Sequence, residues 1–139
     1  HPSTHVNMAQ SSNDVIPTAK AIVVHDQLEI IIEPLKLLIE TLREKGEEFS
    51  SVIKMGRTGL QDAVPITLGQ QLNAFASGME RSLSRLEYEK SHWNHSCLGG
   101  TAVGTGMGCL PGFRGKVNKH LSDVLGYEVK AYDDLVDGY

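Results

Sequence analysis

The chain has 139 residues, with 13 Lys and Arg against 17 Asp and Glu, which gives a formal net charge of −4. This balance argues against a nucleic-acid surface, which would need a basic face, and the chain has no apolar run of about 18 residues that would predict a membrane span. The two cysteines, Cys97 and Cys109, do not make a disulfide framework, so a reducing, cytoplasmic location is predicted. The chain opens on His1 rather than Met, which favours a piece of a longer protein.

The first long helix is predicted over about residues 14–45. Pro17 suits a first helical turn, where its missing N–H costs nothing, and one of the residues Ser12–Asp14 could cap that turn. Gly46 is the expected stop, and Pro34 is expected to kink the helix. Because the apolar positions cover more than one face, we expect this helix to be buried on several sides.

A second helix is predicted over about residues 65–95, beginning near Pro65 or Thr67, since apolar residues recur there at spacings of three, four and seven. The Gly-rich segment 98–108 holds five glycines in eleven residues and cannot be regular helix at ordinary cost. A shorter helix is predicted over 113–125, ended by Gly126.

Two polar segments, Gln10–Asp14 and Lys54–Gln70, stand at the starts of the two long helices. Hydroxyl and amide groups at a helix N-terminus can hydrogen-bond an anion. This pattern predicts a small carboxylate substrate. Lys54 and Arg57 either help to neutralise that carboxylate or are solvated charges that flank a loop.

Other signals for a site leave alternatives open. The Gly-rich segment lacks the preceding strand of a dinucleotide fingerprint, so it is either a tight crossover or a loop that lends N–H groups and Thr101 or Thr105 to a site. His92, His95 and Cys97 have no evident fourth ligand, so no metal site is predicted.

Three blocks of residues carry a family resemblance. The first block comprises His1-Pro2, His5–Met8, Gln10–Asp14 and Pro17–Ala19. The second comprises Gly56–Thr58, Leu60–Ala63, Pro65 and Leu68–Gln70, and the third is Leu98–Gly106. Together they resemble the fumarase/aspartase superfamily: they occur in that family's order, are joined by helices of suitable length and cover essentially the whole chain.

The resemblance implies an all-α fold, with this chain as part of a central domain built as a bundle of long helices. It also implies a homotetramer in which each active site is assembled from segments of three subunits. The implied chemistry is anti elimination from a four-carbon dicarboxylate, which releases fumarate. A base removes the proton beside one carboxylate, and the protein stabilises the resulting aci-form intermediate.

By position, the resemblance implies that Ser11, Ser12 and Asn13 hold a substrate carboxylate and that Thr58 contacts the substrate. Gly59, also assigned to this substrate site, occupies the place of a His in fumarases and of a Gln or His in aspartases. Glycine can supply no acid, base or side-chain hydrogen bond there.

His1 and Thr4 match a segment that forms a secondary carboxylate site in fumarases, although Ser3-Thr4 stand where that family reads Asn-Asp. The family's flexible Gly-Ser-Ser loop, which carries the serine base, is absent. The segment Leu110–Asn118 resembles the end of that loop only superficially. No catalytic residue is therefore assigned within this chain.

We interpret the chain as a central fragment of an aspartate ammonia-lyase, inactive alone, that takes a dicarboxylate and uses no cofactor. Four stretches look closer to aspartases than to fumarases: Lys54–Gly56, Ala63–Pro65, Tyr127–Lys130 and Asp134–Asp137. Fumarate hydratase is the alternative within the same chemistry. A non-catalytic helical oligomerisation module of the same fold is the alternative from another class.

Overall fold

The computed structural model describes all residues from His1 to Tyr139. Its helices are α1 (Ser12–Glu48), α2 (Leu68–Lys90) and α3 (Phe113–Leu125), preceded by a π-helical turn, Pro2–Val6. The strands are β1 (Ile53–Thr58), β2 (Gln61–Thr67), β3 (His95–Ser96) and β4 (Lys130–Ala131). Long helices dominate and the strands are short, so the predicted all-α class is confirmed. None of the helices is long and apolar enough to cross a membrane.

The chain divides into two compact units, residues 1–27 with 90–139 and residues 28–89. In the first unit, β3 and β4 pair in parallel over two residues each. Helix α3 lies between Gly112 and Gly126, which both have a left-handed backbone, with φ of 75° and 79°. The Gly126 N–H donates to the Ser122 carbonyl at 2.9 Å, which satisfies the end of the helix. The buried apolar residues of this unit are Ala21, Cys97, Leu98, Val129 and Leu135.

The second unit contains a hairpin that the sequence does not predict. Strands β1 and β2 pair antiparallel, with an irregularity in register between Met55 and Arg57. Gly56 lies at this irregularity, and a Cβ there would come within 2.7 Å of the Val64 carbonyl oxygen. Only glycine therefore allows β2 to approach this closely.

Of the two predicted starts of the second helix, Pro65 is wrong and Thr67 is correct to within one residue, and the predicted end near residue 95 is wrong. Pro65 lies in β2, and α2 begins after Thr67 because Thr67 and Gln70 cap each other. The Gln70 N–H donates to Thr67 Oγ1 at 3.0 Å, and the Thr67 N–H donates to Gln70 Oε1 at 2.9 Å. The helix ends at Lys90, and His95 enters β3.

Gly46 does not end α1, which continues to Glu48 and runs through Pro34 without interruption. Instead, Gly46 allows close packing. A Cβ on Gly46 would lie 2.6 Å from Asn73 Nδ2, and a Cβ on Gly69 would lie 2.3 Å from the Gly46 carbonyl oxygen. The two glycines let α1 and α2 meet backbone to backbone.

Four large apolar side chains of α1 within the second unit are exposed: Ile30, Ile31, Leu37 and Leu38. Ile32 and Ile39 are buried, but Ile30 and Leu37 are each 63% exposed and Leu38 is 44% exposed. The expectation of burial on several sides is therefore wrong for this chain by itself. In this unit α2 is the one other helix that can cover α1.

Candidate functional site

Ser11 caps the N-terminus of α1 and shares a hydrogen-bonded box with Asp14. The Ser11 hydroxyl accepts the Asn13 N–H at 3.1 Å, and Asp14 Oδ1 accepts the Ser11 N–H at 3.0 Å. This reciprocal exchange is a capping box with aspartate in place of glutamate. The cap thus lies just before the predicted range Ser12–Asp14, because Ser11 has a reciprocal partner, Asp14, three residues further along the chain.

The start of α1 is hydrogen-bonded to the Gly-rich segment 98–108 within the first unit. Asp14 is fully buried, and its Oδ2 accepts the Thr101 N–H at 3.0 Å. The Asn13 side-chain amide donates to the Ala102 carbonyl at 2.8 Å. The Thr101 N–H therefore donates to the protein itself and is not available to a ligand. Sequence reasoning treated Asp14 only as a helix cap, and no local signal reveals a partner 87 residues away.

Ser11, Ser12 and Asn13 keep donors that these contacts do not use. The Ser11 hydroxyl acts as an acceptor in the cap, so its own hydrogen is still available, and the Asn13 amide has a second N–H. The Ser12 side chain is exposed and takes no part in the capping box. These donors lie in the first turn of α1, where the helix dipole favours an anion.

A groove of about 350 Å³ opens beside these donors. Its lining residues are Ser12, Asn13, Ile16, Pro17, Lys20 and Tyr139. The exposed Lys20 adds a cation two turns along α1 from the capped end. The groove thus combines hydroxyl and amide donors, one ammonium group and an apolar wall.

Thr58 and Gly59 lie in the second unit, at the tip of the β1–β2 hairpin. Thr58 pairs with Gln61 across the two-residue turn Gly59-Leu60. Both turn residues have positive φ, 52° and 64°, as a type I′ turn requires. A Cβ on Gly59 would meet no atom within 4 Å, so a side chain at this position would find open space.

A second groove, of about 480 Å³, lies between the hairpin and the start of α2. Lys54 and Arg57 contribute the positive charge predicted there, with Gln70 and Gln71 beside them. Arg57 Nε donates to Asp62 Oδ1 at 2.8 Å, so the charge of that exposed side chain is already partly balanced. Lys54 Nζ donates only to the neighbouring Met55 carbonyl, at 3.2 Å.

His1 and Thr4 lie together in the π-helical turn of the first unit. The Thr4 N–H donates to His1 Nδ1 at 3.3 Å, and both residues are exposed. Their role as a secondary carboxylate site stays a prediction.

Cys97 has the character of a structural thiol. Its Sγ donates to the Gly138 carbonyl at 2.8 Å. Burial, and to a lesser extent the charge of Asp14, raise the pKa of the Cys97 thiol, which keeps it protonated and unreactive at neutral pH. His95 Nδ1 lies 3.1 Å from the His92 carbonyl oxygen. No three His, Cys, Asp or Glu side chains are grouped so that they could hold a metal ion.

Nearly the whole chain is similar to known lyases. A family model described as a lyase matches residues 1–137. The chain is 45% identical over 136 residues to the aspartate ammonia-lyase of Bacillus subtilis (strain 168), covering 98% of the chain and 29% of that protein. It is also 45% identical over 128 residues to the class II fumarate hydratase of Staphylococcus aureus (strain MRSA252), covering 91% of the chain and 28% of that protein.

Solved structures show the same likeness in three dimensions. The cobalt-bound fumarate lyase:delta crystallin from Brucella melitensis matches with a TM-score of 0.85 and 42% identity, over 99% of this chain and 30% of that one. The class II fumarase from Schistosoma mansoni matches with a TM-score of 0.83 and 32% identity, over 99% of this chain and 32% of that one. The chain therefore spans less than a third of the length of the relatives it matches.

Proposed function

Because the chain belongs to the fumarase/aspartase superfamily of lyases, we propose that it is a central segment of an aspartate ammonia-lyase. Such an enzyme reversibly eliminates ammonia from L-aspartate to give fumarate. The parent enzyme is proposed to be a cytoplasmic homotetramer that needs no cofactor. The observation that carries the proposal is the capped start of α1, where Ser11, Ser12 and Asn13 present unused donors beside an open groove.

Substrate binding is proposed to use these donors on one carboxylate of the substrate. A carboxylate offers acceptor sites only, so it matches hydroxyl and amide hydrogens at the positive end of a helix. The Lys20 ammonium, which lines the same groove, would add attraction for a dianion such as fumarate. Thr58 is proposed to contact the substrate from the hairpin segment.

The same donors have a role in the elimination step. Removal of the proton beside a carboxylate places a second negative charge on that carboxylate, and fixed hydrogen-bond donors stabilise this charge as it develops. This chain is proposed to supply that electrostatic part of the mechanism. None of its residues is proposed as the base.

Gly59 supports aspartate over malate as the substrate. Malate loses hydroxide, a poor leaving group that must be protonated, so its elimination depends on a well-placed acid or water network. Aspartate carries an ammonium group that leaves as neutral ammonia and needs less acid assistance. A site without a side chain at Gly59 therefore impairs malate elimination more than aspartate elimination.

The test is kcat/KM for L-aspartate and L-malate in the full-length protein that contains this segment, followed through fumarate absorbance. The variants are Gly59→His and the control Gly59→Ala, which shares the strain of a positive φ but adds no imidazole. We expect the parent to prefer aspartate by at least about tenfold. We expect Gly59→His, and not Gly59→Ala, to gain relative activity on malate.

Two results would count against the proposal. A parent that prefers malate would make fumarate hydratase the better assignment. A folded tetramer that acts on neither substrate would favour the non-catalytic helical module. We also expect the 139-residue chain alone to release no fumarate from either substrate, because binding groups without a base do not abstract a proton. Turnover above a heat-inactivated control would contradict this.

A further inference from the structure

The buried carboxylate of Asp14 lies in the candidate site but is not one of the groups proposed to bind the substrate. Its two oxygens take different partners: Oδ1 accepts the Ser11 N–H and Oδ2 accepts the Thr101 N–H, each at 3.0 Å. A buried charge persists only where hydrogen bonds compensate it, and here both oxygens are compensated by backbone groups. Asp14 therefore bridges the cap of α1 and the Gly-rich segment 98–108.

Thr101 is the strained end of this bridge. Its φ of 62° lies in the left-handed region, which a β-branched residue rarely adopts. Three hydrogen bonds hold it there. Its N–H donates to Asp14, its hydroxyl donates to the Gly100 carbonyl at 2.7 Å, and its carbonyl accepts the Tyr139 hydroxyl at 2.6 Å. Loss of the Asp14 contact would remove the hydrogen bond of the Thr101 N–H.

The strained residue directly precedes the group that orients Asn13. The Ala102 carbonyl accepts the Asn13 side-chain N–H at 2.8 Å and so sets the direction of that amide. The position of this carbonyl depends on the backbone of Thr101, because Thr101 is the residue directly before Ala102. Asp14 is thus linked to Asn13 through Thr101 and Ala102, in addition to being its neighbour in the helix.

We propose that Asp14 is a positioning residue that fixes Thr101 and Ala102 so that the free N–H of Asn13 points at the substrate carboxylate. This proposal rests on the proposed function, since it assumes that Asn13 binds substrate. It assigns Asp14 an indirect role: its carboxylate is fully buried and both oxygens are occupied, so it does not touch the substrate.

A double-mutant cycle on Asn13 and Asp14 in the full-length enzyme tests the proposal, with KM and kcat for L-aspartate as readouts. Asn13→Ala removes the binding group, and Asp14→Asn keeps the size of the side chain but presents an NH₂ group to one of the two N–H donors. We expect Asp14→Asn to raise KM about tenfold and to lower kcat as well, because the Asn13 N–H that it misdirects also stabilises the charge that develops in the elimination step. The double mutant should then be no worse than Asn13→Ala, because both changes act on the same contact.

Ser122→Ala is the matched structural control. Ser122 is a half-buried serine of the same unit that bonds the Asn118 carbonyl and the Val129 N–H, without a link to Asn13. It should lower the melting temperature without raising KM. If Asp14→Asn does not fold, Asp14→Ser replaces it. The serine hydroxyl is too short to accept both the Ser11 N–H and the Thr101 N–H, so the same rise in KM is expected.

The outcomes distinguish the positioning role of Asp14 from the substrate-binding role of Asn13. An unchanged KM in Asp14→Asn, or additive effects of the two substitutions, would overturn the positioning role and leave the binding role of Asn13 intact. A KM that Asn13→Ala leaves unchanged would overturn the substrate-binding role of Asn13, and the positioning role with it. A similar rise in KM for Ser122→Ala would show that general loosening of the unit, rather than Asp14, moves KM.

Discussion

Arg43 of α1 and Glu80 of α2 form a two-pronged ion pair. Arg43 Nε donates to Glu80 Oε1 at 3.1 Å, and Nη2 donates to Oε2 at 2.7 Å. The remaining guanidinium donors reach the Asn73 carbonyl and side chain and the Ser77 hydroxyl, at 2.9–3.2 Å. A planar guanidinium can satisfy this set of acceptors at once, whereas an ammonium group cannot.

Arg43→Lys should therefore destabilise the chain although it conserves the charge. Because the two side chains are 39% and 46% exposed, solvent screens the pair, and we expect a loss of only about 1 kcal/mol in the free energy of unfolding. Urea unfolding measures this. The control is Lys36→Gln, which breaks exposed single-point pairs with Glu33 and Glu87 and should cost less. Equal losses of unfolding free energy in the two variants would mean that the bidentate geometry of Arg43 adds no stability.

The contact between Gly69 and Gly46 predicts opposite effects for two glycine-to-alanine changes in α2. Alanine favours a helix over glycine by about 1 kcal/mol. At Gly69, however, a Cβ would lie 2.3 Å from the Gly46 carbonyl oxygen, so Gly69→Ala should cost about 2 kcal/mol or more. At Gly78 the nearest atom is Arg81 Nη2, at 3.8 Å, so Gly78→Ala should stabilise.

Thermal or urea unfolding of these two variants decides whether close packing or helix propensity dominates. If Gly69→Ala also stabilises the chain, then α1 and α2 do not approach as closely as described. If Gly78→Ala destabilises the chain, an unfavourable contact of the added Cβ outweighs its gain in helix propensity.

The long helices could be predicted from sequence because their signals are local. Apolar spacing, the glycine after α3 and the polar residues before α1 act within a turn or two of the backbone. The close approach of Gly46 and Gly69 could not be predicted, because a glycine near a helix end looks the same whether it stops the helix or admits a neighbour. Only the position of the second helix distinguishes the two.

The hairpin was missed for a physical reason. Strand β2 contains Pro65, has no alternation of apolar and polar residues, and is mostly exposed. Its turn, Gly59-Leu60, lacks the Asn-Gly or Asp-Gly pair that marks such turns. Pairing with β1 therefore stabilises a strand whose own sequence gives little signal. The hydroxyl and amide groups of the candidate site could be found from sequence, but the Asp14–Thr101 contact could not.

Tyr127 predicts a stability change at high pH. Its ring stacks on His25 with centroids 4.1 Å apart, and its hydroxyl donates to Asp26 Oδ1 at 3.3 Å. Burial, followed by the charge of Asp26 and this hydrogen bond, raises the pKa of Tyr127 to about 12. An unfolded tyrosine titrates near pH ~10, so between about 10 and 12 the unfolded chain loses a proton that the folded chain keeps. Stability should fall as pH rises through this window.

Tyrosinate absorbance against pH, with Tyr127→Phe to identify the transition, measures this pKa. Asp26→Asn removes the neighbouring charge, so it should lower the pKa of Tyr127 and reduce the loss of stability in the same window. A Tyr127 that titrates at the ordinary value, with no response to Asp26→Asn, would contradict the contact between α1 and the segment after α3.

The exposed apolar residues of α1 predict that the chain by itself associates. Ile30 and Leu37 lie seven residues apart on one helix face and are each 63% exposed, with Leu38 adjoining them. Contiguous apolar surface of this kind favours association in water. Light scattering at micromolar concentration should therefore show a dimer or a larger species.

The double substitution Ile30→Lys and Leu37→Glu should shift the chain toward the monomer. The control Val124→Glu, at an 81% exposed position of α3, should not. A monomeric native chain would mean that this face needs no partner, and dissociation by Val124→Glu would place the contact on α3 instead.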